Sequence, residues 1–352
     1  MFDRIYEKNL IDKFIENRIL TKDEISLFLD NYSLEGFQYI RDKAVSITRD
    51  NFGKNIYIRG LIEFTNYCQN NCYYCGIRCS NSNAKRYRLS SEEVIKSCSI
   101  GYDNGFRTFV LQGGEDSYFN DNNICELVSS IKNYFPDCAI TLSIVERSYD
   151  SYYKLFSAGA DRYLLRHETA NELHYQKLHP KNMLLSNRKD CLFNLKKIGY
   201  QVGAGFMVGS PYQTSSDIAE DLLFLHELNP HMVGIGPFIT HKDTPFSNFP
   251  NGSVELTLLL IAMIRIMLPQ ALIPATTALS TLDPEGRIKG ILSGANVIMP
   301  NLSPEAACKK YELYDNKIYN NEESGFSIDS LKEKLSEIGY EIAISRGDSP
   351  LI

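Results

Sequence analysis

Short apolar segments rich in β-branched residues recur along the chain, and helically spaced apolar positions fill the intervals between them. Eight such segments stand out: "IYIRGLIEF" (56–64), "RTFVLQG" (107–113), "AITLSIV" (139–145), "DRYLLRHE" (161–168), "QVGAGFMVG" (201–209), "HMVGIGPF" (231–238), "ALIPATT" (271–277) and "ANVIMPN" (295–301). Each reads as a strand. Between them, "SSEEVIKSCSIGYDNG" (90–105) opens on serine and an acidic first turn and stops at Gly105, as a helix should. The stretch "SSDIAEDLLFLHEL" (215–228) has the same start signal and an apolar face.

Strict alternation of strand and helix implies parallel strands joined by right-handed crossovers. Eight repeats in about 250 residues fit a closed (β/α)8 TIM barrel, with an open doubly wound sheet as the alternative. A barrel does its chemistry at the C-terminal ends of its strands. The residues there are polar or out of place in a core: 63–66, 112–115, 166–169, 237–241, 275–278 and 300–301. The chain is expected to form one domain over 1–352, with N-terminal helices over 1–50, the barrel over 55–302 and a helical tail over 303–352 carrying "SIDSLKEKLSEIGY".

Composition adds exclusions. The 352 residues are 43% hydrophobic and 23% charged, which rules out disorder and collagen-like repeats. A net charge of -6 gives no reason to expect nucleic acid as a partner. The longest apolar run, "LTLLLIAMIRIML" (256–268), is too short to span a bilayer and contains Arg265, so it reads as a buried helix and no membrane partner is expected. The N-terminus "MFDRIYEKNL" lacks the pattern of a secretory signal, which points to the cytoplasm.

Nine cysteines in a reducing compartment argue against a disulfide framework, and four of them fall within "CQNNCYYCGIRC" (68–79). Cys68, Cys72 and Cys75 follow directly on the first strand with the spacing C-x-x-x-C-x-x-C. Three thiolates from one loop can hold three irons of a 4Fe-4S cube and leave the fourth iron open. The competing reading is a closed zinc or electron-transfer site with Cys79 as fourth ligand, although no second C-x-x-C pair lies downstream. The dispersed Cys98, Cys125, Cys138, Cys191 and Cys308 read as small buried hydrophobes.

The cysteine motif, with Tyr74 just before the third Cys, resembles that of the radical S-adenosylmethionine (SAM) superfamily. The strings "KRYRLS" (85–90), "ADRYLLRHETAN" (160–171), "GAGFMVG" (203–209), "VGIGPFITHKDTP" (233–245), "IPATTAL" (273–279) and "GANVIMPN" (294–301) narrow the likeness to the HydE family of FeFe-hydrogenase maturases, over about residues 55–315. The resemblance implies one 4Fe-4S cluster on Cys68, Cys72 and Cys75, whose fourth iron binds SAM, and reductive cleavage of SAM to methionine and a 5'-deoxyadenosyl radical. It also implies that Tyr74 lies against the adenine. By the same likeness, Gln112, Gly113, Gly114 and Glu115 offer backbone to the SAM amino group. Glu168 and Arg188 bind its polar groups, and Thr141, Ser143 and Met232 complete the wall. Arg162, Thr276, Thr277, Met299, Tyr311 and Tyr314 would face the substrate. That substrate would be an organometallic iron-cysteine precursor supplied by the maturase HydG and passed to HydF. A second cluster is not expected, because the only cysteine beyond Cys191 is Cys308. Methylornithine synthase and biotin-synthase-like enzymes are the alternatives within the superfamily.

Overall fold

The computed structural model describes residues 3–318, 325 and 328–352. Residues 319–324 and 326–327 of the expected tail lie outside the described residues. Eleven strands are found among the described residues: β1 (Asn55–Ile58), β2 (Gly60–Thr65), β3 (Thr108–Gly113), β4 (Ala139–Ser143), β5 (Arg162–Leu164), β6 (Gln201–Ala204), β7 (Met207–Val208), β8 (Met232–Val233), β9 (Gly236–Pro237), β10 (Val297–Ile298) and β11 (Glu341–Ala343). A parallel sheet runs β2-β3-β4-β5-β6-β8.

Parallel bridges close that sheet on itself. Met232 pairs with Leu272, Pro274 with Val297, and Leu61 with Asn301, so the segment around 272–274 takes the seventh position and β10 the eighth. The eight expected strands are the eight staves of a (β/α)8 barrel. The seventh is reduced to single bridges because Pro274 has no N–H to give to a ladder. Two staves are broken where the sequence suggests continuous strands. Gly205 (φ +151°) separates β6 from β7, and a Cβ there would lie 2.0 Å from the carbonyl oxygen of Gly234, which breaks the neighbouring stave between β8 and β9.

The helices begin where their caps predict. Ser90 and Glu93 form a capping box on the helix Ser91–Asp103, and Thr214 and Asp217 form one on Ser215–Leu228. Before the barrel come the helices Arg4–Asn17, Lys22–Asn31 and Leu34–Phe52, the last packed on the apolar helix Val254–Met267. That apolar helix is buried from Thr257 to Met267, Arg265 included. The Arg265 guanidinium donates to Gly294 O (3.0 Å), Pro269 O (2.8 Å), Ala271 O (2.7 Å) and Asn296 Oδ1 (3.0 Å), and burial pulls its pKa down to about 9. Among the described residues no helix is long and apolar enough to cross a membrane.

The floor of the barrel, at the N-terminal ends of the strands, is filled by the C-terminal segment. β11 pairs with β1, and the chain then turns under the barrel. Asp348 Oδ1 accepts from Arg162 Nη2 (2.7 Å) and Gln201 Nε2 (2.7 Å), and Arg346 O accepts from Thr108 Oγ1 (2.7 Å) and Arg162 Nη2 (2.7 Å). Asp348 is thus the carboxylate that compensates the buried Arg162. Burial alone would raise its carboxyl, but the donors Gln201, Arg346 and Arg162 hold it well below the usual range.

Asp348→Ala leaves Arg162 buried without its carboxylate and should destabilise the fold by about 2 kcal/mol in urea unfolding. A carboxyl depressed in the folded state contributes fully above its unfolded pKa and loses that contribution as pH falls toward the folded value. The difference between wild type and variant should therefore be constant above about pH 4 and shrink below it.

Candidate active site

β2 ends at Thr65, and residues 66–80 form a loop across the barrel mouth with no helix or strand of its own. Its carbonyls need partners. Arg86 supplies them: Nη1 donates to Asn66 O (2.5 Å) and Ile77 O (2.8 Å), and Nη2 to Arg78 O (2.7 Å) and Asn81 O (3.3 Å). The loop is pinned on its other side by Glu115, whose carboxylate accepts from Gln69 Nε2 and from Asn70 Nδ2 (2.6 Å). Gly114 lets the two segments touch, since a Cβ there would lie 2.2 Å from Tyr67 O and 2.7 Å from Cys68 Cβ.

Cys68, Cys72 and Cys75 line one wall of a cavity of about 340 Å³ at the barrel mouth. Burial pushes the thiol of Cys72 up to about 12 and raises those of Cys68 and Cys75, so without a cation beside them they hold their protons. The donor set, three thiols of one loop facing one cavity, fits the corners of a 4Fe-4S cube. Among the described residues no three His, Cys, Asp or Glu side chains gather as ligands of one ion. Cys79 is exposed and lies outside the cavity.

Around the cysteines stand aromatic and paired charged groups. Tyr74 is 3.1 Å from His179 Nε2, and His179 Nδ1 is 3.1 Å from Tyr175 O. The carbonyl requires Nδ1 to carry the proton, so the Tyr74 hydroxyl donates to Nε2. Burial, reinforced by the nearby Arg188 charge, drops His179 to about 3 and keeps it neutral. Arg188 Nε lies 2.5 Å from Glu146 Oε1, and Arg166 Nη2 lies 2.9 Å from Glu168 Oε2. Both pairs are at ion-pair distance, yet these atoms have no aligned hydrogen bond. Arg188 Nη1 also donates to Arg166 O (3.2 Å), which ties the two pairs together. Glu168 (φ 66°) and Val145 (φ 71°), both lining the cavity, are held in the left-handed region, and for a β-branched valine this is a strained position.

Across the cavity, β2, β3 and β4 present a polar row in register, Glu63 opposite Gln112 opposite Ser143. Glu63, 1% exposed, pairs with Lys317 and accepts from Asn301 Nδ2 (2.9 Å). Thr276, Thr277, Tyr311 and Tyr314 complete this side. Thus Cys68, Cys72, Tyr74, Cys75, Gln112, Gly113, Gly114, Ser143, Glu168, Arg188, Thr276, Thr277, Tyr311 and Tyr314 share one cavity.

Five expected site residues lie elsewhere. Glu115 braces the cysteine loop. Arg162 opens β5 and points into the floor network, because the first residue of a strand sits at the end opposite the mouth. Met232 and Thr141 lie deep in the barrel beside Arg59, whose Nη1 is 2.8 Å from Met232 Sδ. Met299 packs on the apolar group of Phe52, Met232, Leu272 and Val297. Sequence reasoning placed Glu63 and Arg166 at the chemical end of the barrel without giving them a role, and did not single out Glu146 or Lys317. A carboxylate in the apolar "GLIEF" is a signal for Glu63, whereas nothing local marks Lys317.

Arg86→Met removes four carbonyl partners at once. It should destabilise the protein by about 3 kcal/mol in urea unfolding and lower the iron bound per chain after anaerobic reconstitution.

Residues 62–225 match the family model described as Radical SAM superfamily. The chain is 48% identical over 275 residues to the [FeFe] hydrogenase maturase subunit HydE of Thermotoga maritima, covering 78% of each chain. It is 29% identical to 3-methylornithine synthase of Methanosarcina barkeri, over 95% of this chain and 94% of that one. Among solved structures, methylornithine synthase (PylB) superposes with a TM-score of 0.82 at 28% identity, covering 95% of this chain and 97% of that chain. The maturase HydG superposes at 0.81 and 21% identity, over 96% and 76%, a likeness of fold. The chain is a radical SAM enzyme of FeFe-hydrogenase maturation and belongs to the HydE family.

Proposed function

We propose that Cys68, Cys72 and Cys75 hold a single 4Fe-4S cluster by three irons and that SAM occupies the fourth. The observation that carries this reading is the opening of all three thiols onto one cavity at the barrel mouth, with the charged side chains of Arg188 and Glu168 lining the same cavity. When bound, the cluster supplies the electron that splits the sulfonium of SAM into methionine and a 5'-deoxyadenosyl radical. This chain's own residues bind, orient and enclose. Tyr74, fixed by its bond to His179, gives the adenine an edge to pack on. Arg188 takes the carboxylate of SAM with its planar fork, and Glu168 takes the ribose or amino group. Ser143 and the backbone at Gly113 and Gly114 line the same side.

The substrate occupies the side lined by Thr276, Thr277, Tyr311 and Tyr314, with Gln112 between the two halves. By family membership it is an organometallic iron complex with a cysteine-derived ligand, received from HydG and delivered toward HydF in the cytoplasm. An apolar lining limits water beside the radical: Leu61, Ile77, Phe238, Ile239 and Leu313 form that part of the wall. Methylornithine synthesis is the second reading, favoured by the near full-length match to that enzyme. It predicts 3-methylornithine as a product, which chromatography of the reaction mixture would detect; the HydE reading predicts none.

The deciding measurement is EPR of the anaerobically reconstituted, reduced protein with and without SAM. A 4Fe-4S signal that changes on adding SAM is expected, and an unchanged signal would overturn the open-iron reading. Cys72→Ala should lose both the signal and 5'-deoxyadenosine formation, while Cys79→Ala, altering an exposed residue outside the cavity, should retain both.

A further inference from the structure

Outside the barrel mouth, against the cysteine loop, runs a groove of about 330 Å³. Gly76 and Ile77 lie along it, and Lys85, Lys242, Lys309 and Lys310 stand exposed on its sides. Two carboxylates, Asp243 and Glu312, also line it. Asp243 accepts from Asn83 Nδ2 (2.8 Å), and Lys309 is paired with Glu305. Among the described residues no carboxylate lies within ion-pair distance of Lys85, Lys242 or Lys310. Asp315 stands beside the groove as well, accepting from the Lys242 backbone N–H (2.8 Å), so the positive charge presented outward is that of the exposed Lys85, Lys242 and Lys310 side chains.

The position of the groove is what gives the charge a meaning. Ile77 lines both the groove and the cavity, so the wall between them is one residue thick there. Gly76 is one peptide bond from Cys75, and a Cβ on it would lie 2.2 Å from Glu312 O and 2.4 Å from His241 Cδ2, so the absence of a side chain lets the groove wall, with its buried His241 ring, close directly on the thiol loop. The sides are fixed to the same loop, because Asn66 Nδ2 donates to the backbone oxygens of Lys85 (3.0 Å) and Lys310 (2.7 Å).

We propose that this groove receives an acidic one-electron carrier protein that reduces the centre held by Cys68, Cys72 and Cys75, an inference that rests on the function proposed above. One electron leaves the carrier, which departs oxidised by one electron. That electron passes through the segment 75–77 and ends in the carbon–sulfur bond of SAM, which breaks to methionine and the 5'-deoxyadenosyl radical; no proton moves. Exposed lysines suit this task. They steer an oppositely charged partner to the groove and release it afterwards, since rim charges govern association rate and salt dependence more than residence time.

The test combines Lys85→Glu, Lys242→Glu and Lys310→Glu in the reconstituted holoenzyme, with a reduced acidic flavodoxin as probe. Stopped-flow would follow reduction, and calorimetry would follow binding of the oxidised flavodoxin at two ionic strengths. At low salt the variant should be reduced about tenfold more slowly and lose most of the salt dependence of both rate and binding. Its 5'-deoxyadenosine yield with dithionite, which needs no docking surface, should equal that of wild type. Reduction of the variant by flavodoxin at the wild-type rate and salt dependence would overturn the proposal. So would loss of dithionite-driven cleavage in the variant alone, since the lysines would then be acting on the cavity. Absence of dithionite-driven cleavage in the wild type would instead remove the proposed function, and this inference with it.

Discussion

The cysteine loop is irregular backbone placed across the mouth of a barrel, and irregular backbone persists near an interior only if its carbonyls find donors. One guanidinium meets much of that need. Arg86 reaches four carbonyls between positions 66 and 81, and its planar fork can address two directions at once in a way that an ammonium cannot. The placement of three thiols on one wall, the closeness of Tyr74 to His179 and the thin partition at Ile77 all follow from this loop having a single conformation.

A second constraint is the burial of charge. Glu63 with Lys317, Arg188 with Glu146 and Arg166 with Glu168 would each cost far more alone than as a pair. They fall into two kinds. Glu63 and Lys317 are saturated by each other, by Asn301 and by the carbonyl of Tyr311, and so hold the segment carrying Lys317 against the wall. The other two pairs balance charge beside the cavity and are joined to each other, since Arg188 Nη1 donates to the carbonyl of Arg166 (3.2 Å).

The alternation of parallel strands and helices was legible in the sequence because its two periodicities differ so plainly, and the count of eight repeats favoured a closed barrel over an open sheet. Its interruptions were not. The break at Gly205 lies where a Cβ would strike the backbone of Gly234, a contact between positions that no local pattern relates. The same reason divides the site residues. Cys68, Cys72, Cys75 and Tyr74 are neighbours in sequence and could be read together. Arg162 sits on an inward strand as expected, but at the wrong end, since charge and apolar context do not tell the mouth from the floor. Lys317 enters the cavity from a segment far from the strands, and only the folded chain brings it to Glu63.

The contact at Gly114 bears on how this site can change over generations. What an added methyl group would strike there is the carbonyl oxygen of Tyr67, part of the main chain, and not the movable end of a side chain. A crowded side chain can be relieved by a second substitution that shortens it. A crowded carbonyl belongs to every amino acid alike, so no compensating replacement at position 67 exists, and relief would require moving the loop that carries the thiols. Drift can therefore rework the apolar walls of the cavity, and with them the molecules it accepts, while the junction of Gly114 with the cysteine loop stays closed to point-by-point revision.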